Sequence, residues 1–355
     1  MIGYGNSVFL RTAWEVSGGV PPVNTVAPAI TGTAQEGQTV SCSTGTWTGT
    51  PTITFAYQWK RNGSNIGSAT NSTYTLVTAD VSQSITCQVT ATNGVGSANA
   101  NSNTITPIAA LDPDAQAFIT AAAITDPTQQ AAINTLVVDL KGYSIWTKMK
   151  ALYPFVGGTA SQHKFNLKNP LDTNAAYRIF WYGGVTHSSN GILGNGSNGY
   201  GDTFLNNNVM GQDNAHISIY SRTNTQNFGC DIGSWNSSQF GLAIYSGYLN
   251  LIRMSLNSVG LATISNTDSR GFYLGSRLVS SSINIQKNST QTPTSSTSTT
   301  PITTSVKILR IGDYNGEYSN RNLAFASIGD GLTNTEALNF YTAVQAFQTT
   351  LGRQV

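Results

Sequence analysis

Apolar positions along the chain follow three successive patterns. From about Pro21 to Pro107, short β-branched or aromatic runs (TVSCST, TFAYQWKRN, STYTLV, SITCQVTATN) alternate with polar residues and are parted by Gly, Asn and Ser. That is the period-two signature of half-buried strands in a small β-sandwich. Between about Leu111 and Leu152 the period lengthens to that of a helix. Asp112 and Asp126 each precede a proline, a pairing suited to an N-cap and first helical turn. Ile133, Leu136, Val137 and Leu140 share one helical face, and SIWTKMKALYPF is expected to add a third helical piece that stops before Pro154. From about Gly157 β-type runs return: AYRIFWYGG, HISIYSRT, FGLAIYSGYLNLIRMSL, GFYLGSRLV, INIQKN, VKILRIGDYN and LAFASIG. Their number and turn-rich spacing predict a larger two-sheet sandwich of the jelly-roll kind.

The chain finishes on a strongly specified helix. Thr333 and Glu336 stand three apart and form a capping box. Ala337, Phe340, Tyr341, Val344, Phe347 and Leu351 then recur at three- and four-residue steps on one stripe. This stripe is expected to close the flank of the sandwich, each buried side chain contributing about 1.5–3 kcal/mol before ordering costs. One low-complexity run, Gln286 to Ser305, lacks aromatics and nearly all charge. It reads as a long exposed excursion between two strands.

The chain has 355 residues, 39% of them hydrophobic, enough for cores in two domains. Only 10% are charged, so neutral polar groups carry the surface. A net charge of +2, with no Lys/Arg run, supplies no field to gather phosphate backbones, which argues against nucleic acid as a partner. The first twenty residues lack a basic start followed by an apolar block, and no segment reaches the length of an apolar membrane span. A soluble protein made in the cytoplasm is expected. Three cysteines, Cys42, Cys87 and Cys230, leave one unpaired, so a Cys42–Cys87 disulfide is the most they suggest.

The order Cys42, Trp59, Cys87, with GTWTGTPTITFAYQWKRNGSNI, resembles an immunoglobulin-like domain of the type that decorates bacteriophage virions. Two positions before the second cysteine stands Ile85, so the tyrosine-corner bond of that fold is expected to be missing. Further on, LRIGDYNGE (309–317) and FASIGDGLTNTEALNFY (325–341), with the stretch DPTQQAAINTLVVDLK through WTKMKALYPFVGGTASQHKFNLKNP, resemble the concanavalin A-like, laminin-G-like lectin superfamily found in phage structural proteins. The expected fold is therefore mainly β. It comprises an attachment arm (1–20), an Ig-like sandwich (21–107), a helical connector or collar (108–156) and a concanavalin A-like jelly roll with its C-terminal helix (157–355). Cys42, Trp59, Cys87, Thr333 and Glu336 are read as structural.

Chemistry is sparsely indicated. Glycanases of this superfamily need two carboxyls flanking the sugar bond; of the four glutamates, Glu15 and Glu36 lie outside the second domain, Glu336 is used by the cap and Glu317 has no second glutamate near it. Asp202, Asp213 and Asp231 show no spacing that demands pairing. His163, His187 and His216 fall in separate segments with no metal-binding spacing, and no nucleophile elbow is present. No enzyme and no cofactor are expected. The segment from Gly183 to Asn208 is the candidate sugar-binding loop, with Asn195, Asn198, Tyr200 and Asp202 close together. Such groups suit a pyranose, which has polar edges and an apolar face. Its Asn and Gly residues serve equally as turn formers. Calcium, if bound, would fall to Asp202 or Asp313. The resemblance implies a virion surface protein, docked through its arm on capsid or tail proteins, probing cell-surface or mucus glycans, and trimeric. The short arm favours a head decoration or head fibre over a tail fibre. A glycan depolymerase and a purely structural capsid cement are the rival roles.

Overall fold

The computed structural model describes residues 18–312 and 316–355. The chain divides into two units, Met1–Ala110 and Leu111–Val355. Positions 1–17 of the expected arm and the calcium candidate Asp313 lie outside the described residues. The Gly/Pro junction runs into a strand, Val20–Val26, which among the described residues pairs with Thr46–Thr50 alone. An edge position accommodates Pro21 and Pro22, which donate no ladder hydrogen bond.

The first unit sets a three-stranded sheet (Ile30–Thr31, Thr39–Cys42, Thr73–Thr75) and a four-stranded one (Ser64–Asn65, Thr54–Arg61, Ile85–Thr92, Ser97–Asn101) around one core. Trp59 lies directly across from Cys87 in the register, fully buried, and its indole N–H donates to the Asn71 carbonyl at 2.9 Å. Ile85 is core, and a different residue anchors this end of the sandwich. The buried Asp80 accepts from Arg61 Nε at 2.7 Å, the Tyr74 hydroxyl at 2.9 Å and Val77 N–H at 2.8 Å. The Cys42–Cys87 disulfide is not formed. Both are buried free thiols in hydrogen-bond contact, and that contact together with burial pushes the Cys87 thiol up.

The second unit is layered. An eight-stranded antiparallel sheet contains Thr186–Ser188, Gly191–Leu193, Asn322–Gly329, Ala215–Ser221, Gly271–Val279, Ser282–Lys287 and Thr290–Ser295 in that order, with Met149–Tyr153 pairing to Asn322–Gly329. A seven-stranded sheet runs Phe180–Tyr182, Tyr200–Asn206, Ser305–Ile308, Ile232–Trp235, Phe240–Tyr248, Leu251–Ser258, Ala262–Ser265. Alternation along the strands sorts the cores. Ile217, Ile219, Tyr273 and Ile328 face the second sheet together with Ile244 and Met254. Tyr220, Phe272, Leu274 and Phe325 face the helices Pro113–Ala121, Pro127–Gly142 and Asn334–Thr350.

The C-terminal helix is built as its stripe requires. Thr333 and Glu336 form the capping box, Lys148 pairs with Glu336 at 2.6 Å, and Ala337, Phe340, Val344 and Phe347 are buried against the sheet. Asp112 and Asp126 cap the two preceding helices as expected. Those helices share the second unit's core, so residues 111–156 belong to this unit and are not a separate collar. The expected third helical piece is a single turn, Trp146–Lys148, followed by the strand Met149–Tyr153. Ala151, Leu152 and Tyr153 are consecutive and all buried, which erases the alternation that marks a strand in sequence. The low-complexity run begins as strand, through Ser295, and is an excursion between strands only over 296–304. Residues 282–287 and 290–295 form a hairpin in full register, from Ser282 opposite Ser295 to Lys287 opposite Thr290, consistent with the β propensity of threonine.

His216 is completely buried beneath the terminal helix, with Nδ1 2.6 Å from the Asp330 carbonyl and Nε2 3.2 Å from Ser327 Oγ. Burial pulls its pKa down from the ordinary 6.5 to about 4. The unfolded chain therefore takes up this proton first. Stability from this group is constant above pH about 6.5, falls as pH drops toward 4, and levels off below, a loss of roughly 3 kcal/mol. Denaturant titrations across that range should show the slope, and His216→Gln, which cannot titrate, should make it shallower, leaving the part that the buried His163 contributes. Phe340→Ala should cost about 3–5 kcal/mol in the same measurement.

Candidate functional site

The face of the seven-stranded sheet turned away from the sandwich interior carries a group of exposed aromatic rings. Trp181 joins the interior core, so its neighbours Phe180 and Tyr182 point outward, 46% and 40% exposed. In the register Phe180 stands opposite Asp202, and Tyr182 opposite Tyr200. Cross-strand partners share a face, and the rings form a ladder. Phe180 and Tyr182 have centroids 4.9 Å apart, and Tyr182 and Tyr200 stack at 4.7 Å with planes 12° apart. Tyr318 follows at 6.2 Å from Tyr200, and the Arg310 guanidinium lies over both, 4.7 and 5.2 Å from their centroids.

Of the four residues expected to hold a sugar, the structure places only Tyr200 in this ladder. Asn195 is exposed but organises its own loop. Its Oδ1 accepts from the backbone N–H groups of Ser197, Asn198 and Gly199, and its Nδ2 donates to Asn198 Oδ1 at 2.6 Å. Asn198 Oδ1 also accepts from Gly184 N–H at 3.1 Å, tying the loop to the chain just beyond Tyr182. Both residues therefore shape a polar rim at the end of the ladder. Asp202 is a correction to the sequence reading. It is buried, bonded to the Lys307 ammonium, and accepts Phe204 N–H at 2.9 Å, so its carboxylate is committed to the protein itself. Phe180, Tyr182, Arg310 and Tyr318 were not singled out from sequence. The signal for the first two is the FWY triplet, whose middle ring must turn inward in a strand.

Among the described residues Asp202, Asp231 and Glu317 are each held by a different partner. Asp231 is buried against Arg321 at 3.0 Å, and Asp202 is held by Lys307. Glu317 accepts a hydrogen bond from the Tyr245 hydroxyl, and burial holds it above the ordinary carboxylate range. The fold does unite two histidines that are far apart in sequence, with Nδ1 of His163 and His187 3.0 Å apart beside Phe155 and Trp181. Burial drives His163 down to about 3, so it is held as a neutral imidazole. Among the described residues no three His, Cys, Asp or Glu side chains gather as a metal site, and no helix is long and apolar enough to cross a membrane.

No family model and no curated protein matches the sequence. Several solved structures resemble the chain. The binding domain of botulinum neurotoxin DC, solved with rat synaptotagmin II, is 14% identical over 57% of this chain and 52% of its own, with a TM-score of 0.40. Domain 4 of an extracellular arabinanase from Geobacillus stearothermophilus, solved with arabinotriose, is 9% identical over 54% of this chain and 98% of its own, TM-score 0.34. A Trypanosoma rangeli sialidase mutant displaying trans-sialidase activity is 7% identical over 74% of this chain and 43% of its own, TM-score 0.42. The match takes in about half of the neurotoxin domain and less than half of the sialidase.

Because Asp202 and Lys307 neutralise each other in a buried position, removing one leaves a stranded charge. Lys307→Met should destabilise the second unit by about 3–5 kcal/mol, and adding Asp202→Asn should recover most of that, as measured by urea denaturation.

Proposed function

We propose that this protein is a non-enzymatic adhesin that takes a glycan on the Phe180–Tyr182–Tyr200 ladder of its second unit. The observation that carries this reading is the exposed ladder bordered by the exposed rim Asn195–Asn198. A pyranose has one apolar C–H face and a polar edge, so it gains from an aromatic surface on one side and amide groups on the other. A shallow platform of this kind binds each sugar loosely. Display in several copies raises the effective concentration and makes the attachment firm.

The finer reading places the protein on a bacteriophage virion, as a capsid decoration or head fibre. In it the first unit is an Ig-like spacer, the N-terminal arm docks on other virion proteins, the assembly is trimeric, and the second unit is displayed toward host-cell or mucus glycans. The support is the resemblance carried by Cys42, Trp59 and Cys87 and by the 309–317 and 325–341 segments. A surface of neutral polar residues is also less sensitive to salt than a charged one.

On a glycan array the intact protein should bind a defined sugar class. Tyr182→Ala should lower that binding by about tenfold or more with the fold retained. An array without signal would remove the adhesin reading. Incubation with bacterial capsular polysaccharide should release no new reducing ends, and sustained release would favour a depolymerase instead.

A further inference from the structure

A second feature of the same sheet face stands apart from the ladder. Alternation along Phe240–Tyr248 sends Leu242 and Ile244 into the sandwich, and Ala243 and Tyr245 outward. Outside, Ala243, Tyr245, Ile311 and Cys230 form a small apolar cluster of their own, with Trp235, Phe240 and Tyr248 packed against it. Beside it opens a cavity of about 210 Å³ lined by Trp235, Phe240, Ile311 and Glu317. Among the described residues two of the four walls are aromatic and one is aliphatic, and the Glu317 carboxylate is the ionisable lining group.

The carboxylate has an incomplete set of partners. Glu317 accepts from the Tyr245 hydroxyl, and among the described residues it forms no ion pair. The Arg253 guanidinium acts on it only through its field and lies instead 4.0 Å above the ring centroid of Tyr248. A half-buried carboxylate without a counter-ion is costly, and a cation delivered to it offsets that cost. Aromatic faces add to the attraction, since the ring quadrupole draws a cation positioned over it, tryptophan most strongly. A neutral ligand would gain the apolar contacts but leave the charge uncompensated.

We propose that the Trp235–Phe240–Ile311–Glu317 cavity is a binding site for an organic ammonium group carried on a small apolar or sugar frame. A choline-type headgroup and an amino sugar both present this chemistry. The site does not depend on the sugar ladder, because none of its lining residues belongs to the ladder.

The test uses the full chain and calorimetric titration with four probes: choline, its neutral carbon isostere 3,3-dimethylbutanol, glucosamine and N-acetylglucosamine. At least one cationic probe should bind about tenfold or more tightly than its neutral counterpart. Preference for choline would assign a quaternary ammonium source, and preference for glucosamine an amino sugar. Glu317→Gln keeps an acceptor for the Tyr245 hydroxyl and should reduce the cation to the neutral level. Trp235→Ala should weaken both, with an unchanged melting temperature showing that the fold is kept. Tyr182→Ala should leave this binding intact. Equal affinity of each cation and its neutral counterpart, undiminished binding of the preferred cation by Glu317→Gln, or no binding of either cation would overturn the proposal. The glycan reading would be untouched by any of these results.

Discussion

The outer face of the seven-stranded sheet depends on one buried contact, the ion pair between Arg321 and Asp231. Both side chains are fully inaccessible, and the guanidinium stands 3.0 Å from the carboxylate. Arg321 also donates to the carbonyls of Thr225, Asn227, Gly229 and Gly247, while Asp231 accepts from Ser246 N–H and Oγ and from Ser319 Oγ. A buried charge pair is tolerated only when its remaining donors and acceptors are satisfied in this way. The arrangement fastens Ser319–Arg321 to the Ile232–Trp235 and Phe240–Tyr248 region. The preceding residues Glu317 and Tyr318 are thereby laid across the outward face.

Two further arginines show the same economy with charge. Arg277 is buried and donates to the carbonyls of Leu256, Val279, Ser280 and Ser296, with no ion pair to a carboxylate among the described residues. Arg353, also buried, donates to Phe155, Pro154 and Ala324 carbonyls and to Gln348 Oε1, locking the end of the chain onto the unit. Its loss of hydration brings its pKa down to about 9. In a chain with so few charges, several of them are spent inside, organising loops through carbonyl dipoles. The exposed ladder and its rim are built of aromatic rings and neutral amides.

Much of the architecture was legible from local rules. Thr333 and Glu336, Asp112 and Asp126 announced helix starts because a cap is a contact between residues two or three apart. Trp59 and Cys87 were recognisably core because alternation places them on an inner face. Where local pattern misled, the cause was burial on both sides or a polar composition. Ala151–Tyr153 hid a strand, and the Ser/Thr-rich run hid the strand Thr290–Ser295, whose pairing comes from its neighbour.

The site was less legible than the fold. Sequence alone determined that the chain is mainly β, that an amphipathic helix seals it, and that Asn195, Asn198 and Tyr200 would lie near an exposed loop, because each follows from spacing within a few residues. Only tertiary structure decided that Asp202 belongs to Lys307, from 105 residues away, and that Tyr182, Tyr200 and Tyr318 form a single surface. Likewise Trp235, Phe240 and Glu317 meet at one cavity through pairing across strands. Strand register joins residues far apart in the chain, and no local spacing encodes which of them will share a face.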